Sequence, residues 1–176
     1  LLILRCQAGD EAALTELIAR YSPGVRVFLG RISGAETADD LLQDTWFDVY
    51  RQINRLKKPE AFVAWLYRIA RDKAYRELRR RHVPAELLDD DLIEEPSTEQ
   101  ENFSPEEIDQ LRASLSAIAV EHREVLVLRF MEQMSYEEIA EVIGRPLGTV
   151  RSRIHHAKLA LRTKMNLSLH RKEVSS

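Results

Sequence analysis

Residues 135–165 read SYEEIAEVIGRPLGTVRSRIHHAKLALRTKM, two short helical patterns pivoting on a Gly-Arg-Pro turn. The first has its start written in. Ser135 is placed to accept from a first-turn backbone N–H while Glu138, three residues on, reaches back, the spacing of a capping box. Ile139, Ala140 and Ile143 give that helix an apolar side, and Gly144 suits the left-handed position that ends a helix. Pro146 blocks continuation and fits the start of a new helix. This is the profile of a helix-turn-helix.

In the second helix Val150, Ile154, Ala157 and Leu161 recur at spacings of four, three and four, a stripe that faces a core. Gly148, Ser152, His155 and His156 point the opposite way. Arg151, Arg153, Lys158 and Arg162 are read as flanks, where long cations meet phosphates on either side of a major groove. From Arg145 to Lys172 there are eight Lys or Arg and no Asp or Glu. A helical hairpin with a solvated basic face is the plainer alternative, but the capping box, the turn and the unbroken positive run together favour DNA.

The formal charge of -3 over 176 residues hides this arrangement. From His82 to Leu111 there are eleven acidic residues and no Lys or Arg, so the rest of the chain sets 26 basic residues against 18 acidic ones. Charge divided into a basic front, an acidic middle and a basic end suggests separate partners for separate segments. Cys6 is the sole cysteine, which excludes an intramolecular disulfide and suits a reducing cytoplasm. The opening LLILRCQ is too short for a signal peptide, and no apolar run approaches a membrane span, so no membrane insertion is expected.

Elsewhere the periodicity is helical and strand-type alternation is absent, which predicts an all-α fold. Leu14, Leu17, Ile18 and Tyr21 form one amphipathic stretch, and Val25, Phe28, Leu29 and Ile32 a second after a break at Ser22-Pro23-Gly24. A third stretch, from about Thr37 to Asn54, turns Leu42, Trp46, Val49, Tyr50 and Ile53 inward. A fourth, from Pro59 to Arg81, buries Phe62, Leu66 and Ile69. These four make a first module over residues 1–82.

Residues 83–103, acidic and broken by Pro84 and Pro96, read as a linker. At full extension its 21 residues span roughly 70 Å, about two turns of B-DNA. Residues 104–176 form a second bundle. It opens with the Ser104-Pro105-Glu106-Glu107 start signal and the stripe Ile108, Leu111, Leu115 and Ile118. A helix containing Val125, Leu126 and Leu128 follows, and the helix-turn-helix completes the bundle.

The first module carries signals of its own. From Trp65 to Arg81 seven basic residues (Arg68, Arg71, Lys73, Arg76, Arg79, Arg80 and Arg81) face two acidic ones, interleaved with Trp65, Tyr67 and Tyr75. Aromatic faces among cations suit unpaired bases, because stacking accepts any base while cations follow the backbone. Trp65 packed in a core is the competing reading. On the preceding helix Glu36, Asp39, Asp40, Asp44 and Asp48 stand without a Lys or Arg between Arg31 and Arg51. Such a side repels DNA and suits a basic protein surface, if it binds anything.

Taken together, DDLLQDTWFDVY, FVAWLYRIARDKAYRELRRR and SYEEIAEVIGRPLGTVRSRIHHAKLALR resemble the bacterial extracytoplasmic-function sigma factors, promoter-specificity subunits of RNA polymerase. The resemblance covers nearly the whole chain. It implies that Asp40, Leu41, Gln43, Asp44, Phe47 and Asp48 grip the clamp of the polymerase's largest subunit. It likewise implies that Leu56, Lys57 and Lys58 belong to the loop that captures a flipped base of the minus-ten element. Trp65, Arg68, Arg71, Lys73, Arg76, Arg79 and Arg80 would lie on its duplex-opening neighbour. Gly148, Thr149, Arg151, Ser152, Arg153, His155, His156 and Lys158 would read the minus-thirty-five element, with the bundle before them holding the polymerase flap.

The linker would thread the RNA exit channel, and an anti-sigma factor is an implied partner. Asp72, Arg76 and His156 depart from residues common in the family.

The function so implied is binding without chemistry: the chain joins core polymerase, reads duplex promoter DNA and stabilises the melted single strand. A helix-turn-helix regulator acting without core polymerase is the alternative. No enzyme is indicated. The five histidines (His82, His122, His155, His156 and His170) lack metal-ligand spacing, no glycine-rich phosphate loop occurs, and Cys6 has no base nearby in sequence. No cofactor or metal is expected.

Overall fold

The chain turns helical from its second residue. Helix α1 (Leu2–Gln7) buries Ile3 and Cys6 on one side, a helix that the apolar pattern of the opening residues did not announce. The computed structural model describes residues 1–81 and 115–173, with side chains to residue 165. The linker, the start signal at Ser104 and the positions His82, Ile108 and Leu111 therefore lie outside the described residues, as does the side chain of His170. No strand occurs among the described residues.

Helix α2 (Glu11–Ser33) begins at Asp10, whose carboxylate accepts from the Ala13 N–H at 3.0 Å. It runs straight through Pro23, so the expected break at 22–24 does not form. A proline inside a helix costs about 3 kcal/mol. Leu17, Val25, Phe28, Leu29 and Ile32 are buried along the same helix, each adding roughly 1.5–3 kcal/mol of burial. Packing on both sides of the proline outweighs its local penalty. Gly34, at φ 106°, then ends the helix.

Helix α3 (Ala38–Gln52) lies between short 3-10 turns at Ala35–Thr37 and Ile53–Arg55. Trp46, Val49 and Ile53 are buried as the spacing required, and the Trp46 indole donates to Ser22 Oγ at 2.9 Å. Tyr50 is 66% exposed instead, because it sits at the edge of a narrow apolar stripe. Helix α4 (Phe62–Arg80), entered through a 3-10 turn at Pro59–Ala61, buries Phe62, Leu66, Tyr67, Ala70 and Ala74. Ile69 is only half-buried. A single stripe underestimates this helix because it is covered twice, by α2 and α3 within its module and by the second module outside it.

The described part of the second module opens with a 3-10 turn at Leu115–Ala117 and α5 (Val120–Leu126), which passes into a π-turn at Val127–Met131. Arg123 ties this start together, donating to the carbonyls of Leu115, Ser116 and Ile118. Helix α6 (Tyr136–Ile143) has both bonds of its capping box, from the Glu138 N–H to Ser135 Oγ at 3.1 Å and from the Ser135 N–H to Glu138 Oε2 at 2.8 Å. Gly144 takes the left-handed conformation at φ 65°, and α7 (Leu147–Glu173) follows Pro146. Val150, Ile154, Ala157 and Leu161 are all buried.

Candidate nucleic-acid interface

On α7 the side opposite the buried stripe is open. Gly148, Arg151 and His155 are exposed, and Thr149, Ser152 and His156 half-buried, with Ser152 Oγ donating to the Thr149 carbonyl at 3.1 Å. The two histidine rings meet edge to face at 5.7 Å. Lys158 is half-buried, its ammonium 5.5 Å from the Phe130 ring centre.

Arg153 departs from the expectation of a phosphate-facing flank, being 7% exposed. Arg151, Lys158 and Arg162 gather on one flank of the helix, and Arg153 falls alone on the other. That other flank turns toward the buried Glu124, whose charge Arg153 stabilises.

The cations of α4 divide in the same manner. Trp65, Arg68, Asp72, Arg76 and Arg79 recur at spacings of three and four along the outward side of α4; all but the half-buried Trp65 are exposed. Trp65 leans on Phe62 with ring centres 6.1 Å apart, so it is both a core edge and a surface ring. Lys73 is held by Asp48 at 2.7 Å, and Arg80 forks onto Glu77. Arg71 is turned away from solvent, its Nε 2.7 Å from Glu124 Oε1. Beside the helix start, Lys57 and Lys58 are exposed and Leu56 half-buried. The Gln7 side-chain amide donates to the carbonyls of Ile53 and Leu56, both at 2.8 Å, and so ties α1 to that loop.

The acidic side of α3 is less uniformly anionic than its sequence. Glu36 pairs with Arg81, Asp39 with Arg26, and Asp48 with Lys73. Among the described residues Asp40 and Asp44 make no ion pair, and they share an open face with Gln43 and Phe47. Phe47 is 60% exposed and lies under the Arg51 guanidinium at 5.4 Å; Leu41 is half-buried beside it.

Sequence reasoning missed two acids. Glu124 is fully buried, its second oxygen accepting from the Tyr75 hydroxyl at 3.0 Å. Burial pushes its carboxyl above the ordinary value, with Arg71 and Tyr75 opposing. Glu132 accepts from the Tyr67 hydroxyl, and burial raises its carboxyl as well. For Glu124 the available signal was an acid set directly against the apolar run Val125–Leu128, a place where a lone charge requires a partner.

Comparison with known proteins agrees with this architecture. The family model for sigma-70 region 2 matches residues 17–83, and that for sigma-70 region 4 matches residues 108–161. The ECF RNA polymerase sigma-E factor of Haemophilus influenzae is 32% identical over 176 residues, covering 93% of each chain. The ECF RNA polymerase sigma factor SigE of Mycolicibacterium smegmatis is 36% identical over 163 residues, 88% of this chain and 63% of that one. The solved structure of CnrH in complex with the cytosolic domain of CnrY shares the fold, with a TM-score of 0.70 at 22% identity over 94% of this chain and 96% of that one.

Two sigma-70 regions in this order, carried by one all-helical chain, define the class. The chain belongs to the extracytoplasmic-function sigma factors of the sigma-70 family. Its function is that of a promoter-specificity subunit of bacterial RNA polymerase, which performs no chemistry itself.

Proposed function

We propose that the three surfaces divide the work of initiation as follows. The open face of α3, with Asp40, Leu41, Gln43, Asp44, Phe47 and Asp48, holds the clamp of core polymerase. The loop Leu56-Lys57-Lys58 and the outward row of α4 hold the separated minus-ten strand, and the open side of α7 reads the minus-thirty-five duplex. Residues 1–82 and 104–176 are the two working modules, the second also meeting the polymerase flap, and 83–103 is the tether in the RNA exit channel. The protein works in the cytoplasm, where its polymerase is, and an anti-sigma factor is its regulator. No helix among the described residues is long and apolar enough to cross a membrane.

The observation that carries this reading is the unequal neutralisation of α3. Three of its neighbouring acids are satisfied within the chain, while Asp40 and Asp44 remain beside an exposed Phe47. An exposed aromatic next to unpaired acids suits a basic protein partner better than solvent. The test is charge reversal. Asp40→Lys with Asp44→Lys is expected to abolish assembly with core polymerase, measured by co-elution, while leaving helicity unchanged. Retained core affinity at moderate salt would refute the assignment.

A further inference from the structure

Helix α1 packs on α2 and on the 3-10 turn at Ile53–Arg55. Ile3 and Cys6 are buried on its inner side, and Arg5 pairs at 2.8 Å with Asp10, the residue that caps α2. Gly9, at φ 87°, makes the sharp turn between the two helices. The end of α1 is therefore set by α2, and from that end Gln7 reaches a loop 46 residues further along the chain.

That loop is closed at both ends. The Leu56 N–H donates to the Ile53 carbonyl at 3.1 Å, and the Ala61 N–H to the Lys58 carbonyl at 3.0 Å. Between these turns the backbone is extended at Leu56 and Lys58, at Lys58 because a proline follows. Among the described residues no backbone N–H donates to the Leu56 carbonyl. Gln7 supplies that donor. Its primary amide carries two N–H groups, and they go to the carbonyls of Ile53 and Leu56, each at 2.8 Å. One side chain thus holds the end of the turn against the start of the extended segment.

The two contacts that a DNA strand can make with such a loop differ in tolerance. Lys57 and Lys58 are exposed, and an ammonium on a flexible stem meets a phosphate from many positions. A base recognised by shape and directed hydrogen bonds instead needs its frame held to about 0.5 Å. A loop ordered beforehand also adds no ordering cost on binding.

We propose that Gln7 is the positioning residue of this loop. Its two hydrogen bonds fix the backbone on which the choice of the captured minus-ten base depends, while general attraction to the strand does not depend on them. This rests on the assignment of the loop to the minus-ten strand made above.

The test uses holoenzyme assembled from the full chain and core polymerase, presented with a short single-stranded DNA library randomised at every position. Sequencing of the bound fraction gives the base preference at each position of the recovered motif. Titration of the unselected library at several salt concentrations gives the general affinity. Gln7→Met keeps the length of the side chain and removes both donors, and Gln7→Glu keeps its shape and replaces donors by acceptors. Both are expected to lower the preference at one position of the motif about tenfold, as the loss of two ordinary hydrogen bonds allows. The other positions, the salt dependence, co-elution with core polymerase and helicity should stay unchanged.

A second variant separates the positioning from the assignment on which it rests. Lys57→Ala with Lys58→Ala should flatten the slope of log affinity against log salt. If it does so while Gln7→Met retains the full preference, the positioning is overturned and the loop assignment stands. Gln7→Met losing preference at every position together with core affinity would also overturn the positioning, since Gln7 would then serve general stability alone. An unchanged salt slope and unchanged preference in the lysine variant would overturn the loop assignment, and the positioning with it.

Discussion

Glu132 shows how one side chain couples the fold to solution conditions. Burial beside Tyr67 holds its carboxyl above the ordinary value of 4.5, the Tyr67 hydrogen bond opposing that. The folded form therefore takes up a proton more readily than the unfolded chain. Its stabilisation is fully present below about pH 4.5 and is lost as pH rises through the raised value. Glu124 acts in the same sense. Glu77, held down at about 2 by Arg80 and Arg81, acts oppositely, its contribution being lost only as pH falls well below this window. The contribution of Glu132 to stability should accordingly be greater at pH 5 than at pH 8 in thermal unfolding, and Glu132→Gln should flatten part of that dependence. A Glu132→Gln variant whose stability depends on pH as steeply as that of the unsubstituted chain would contradict this.

At the scale of elements, α1 and α4 each do something that periodicity does not report. Helix α1 is too short to persist alone, yet Gln7 at its end fastens the loop that runs from Ile53 to Lys58. Each of its two hydrogen bonds contributes about 0.5–1.5 kcal/mol, so Gln7→Ala should loosen the loop by roughly 1–3 kcal/mol. Faster amide exchange at Leu56–Ala61, with α2 and α4 unaffected, is the expected record of that change. Equal acceleration throughout the module would mean that Gln7 serves only general stability. Helix α4 carries seven cations within one turn of its ends or along its length, and the fold sorts them. Arg68, Arg76 and Arg79 face outward, while Arg71, Lys73, Arg80 and Arg81 are engaged by Glu124, Asp48, Glu77 and Glu36. Net charge along a helix therefore overstates the charge that a strand of DNA would meet.

At the scale of the molecule, the acidic stretch joins two modules that also touch directly. If Asp89, Asp90 and Asp91 lie in the path of nascent RNA, their replacement by Asn, Asn and Asn should change the yield of abortive products and the rate of promoter escape. Unchanged abortive patterns in run-off transcription would leave the stretch as a spacer alone.

Much of the fold was legible because it is governed by local rules. The capping box at Ser135, the left-handed Gly144, the stripe through Val150 and Leu161 and the all-helical character all depend on neighbours within a few residues. What failed was whatever distant packing decides. Pro23 stays inside a helix because buried residues on both sides outweigh its penalty, and Tyr50 faces solvent because no described element covers that edge of α3.

The sequence alone determined the all-helical character, the capping box at Ser135 and the Gly144 stop, the division of charge and the three motifs that mark the family. Only the tertiary structure decided that Arg153 turns inward, that Arg71 answers a glutamate 53 residues away, and that α4 is covered on two sides. Local periodicity specifies which face of a helix is apolar, but a buried charge finds its partner across space, and no spacing along the chain records that distance.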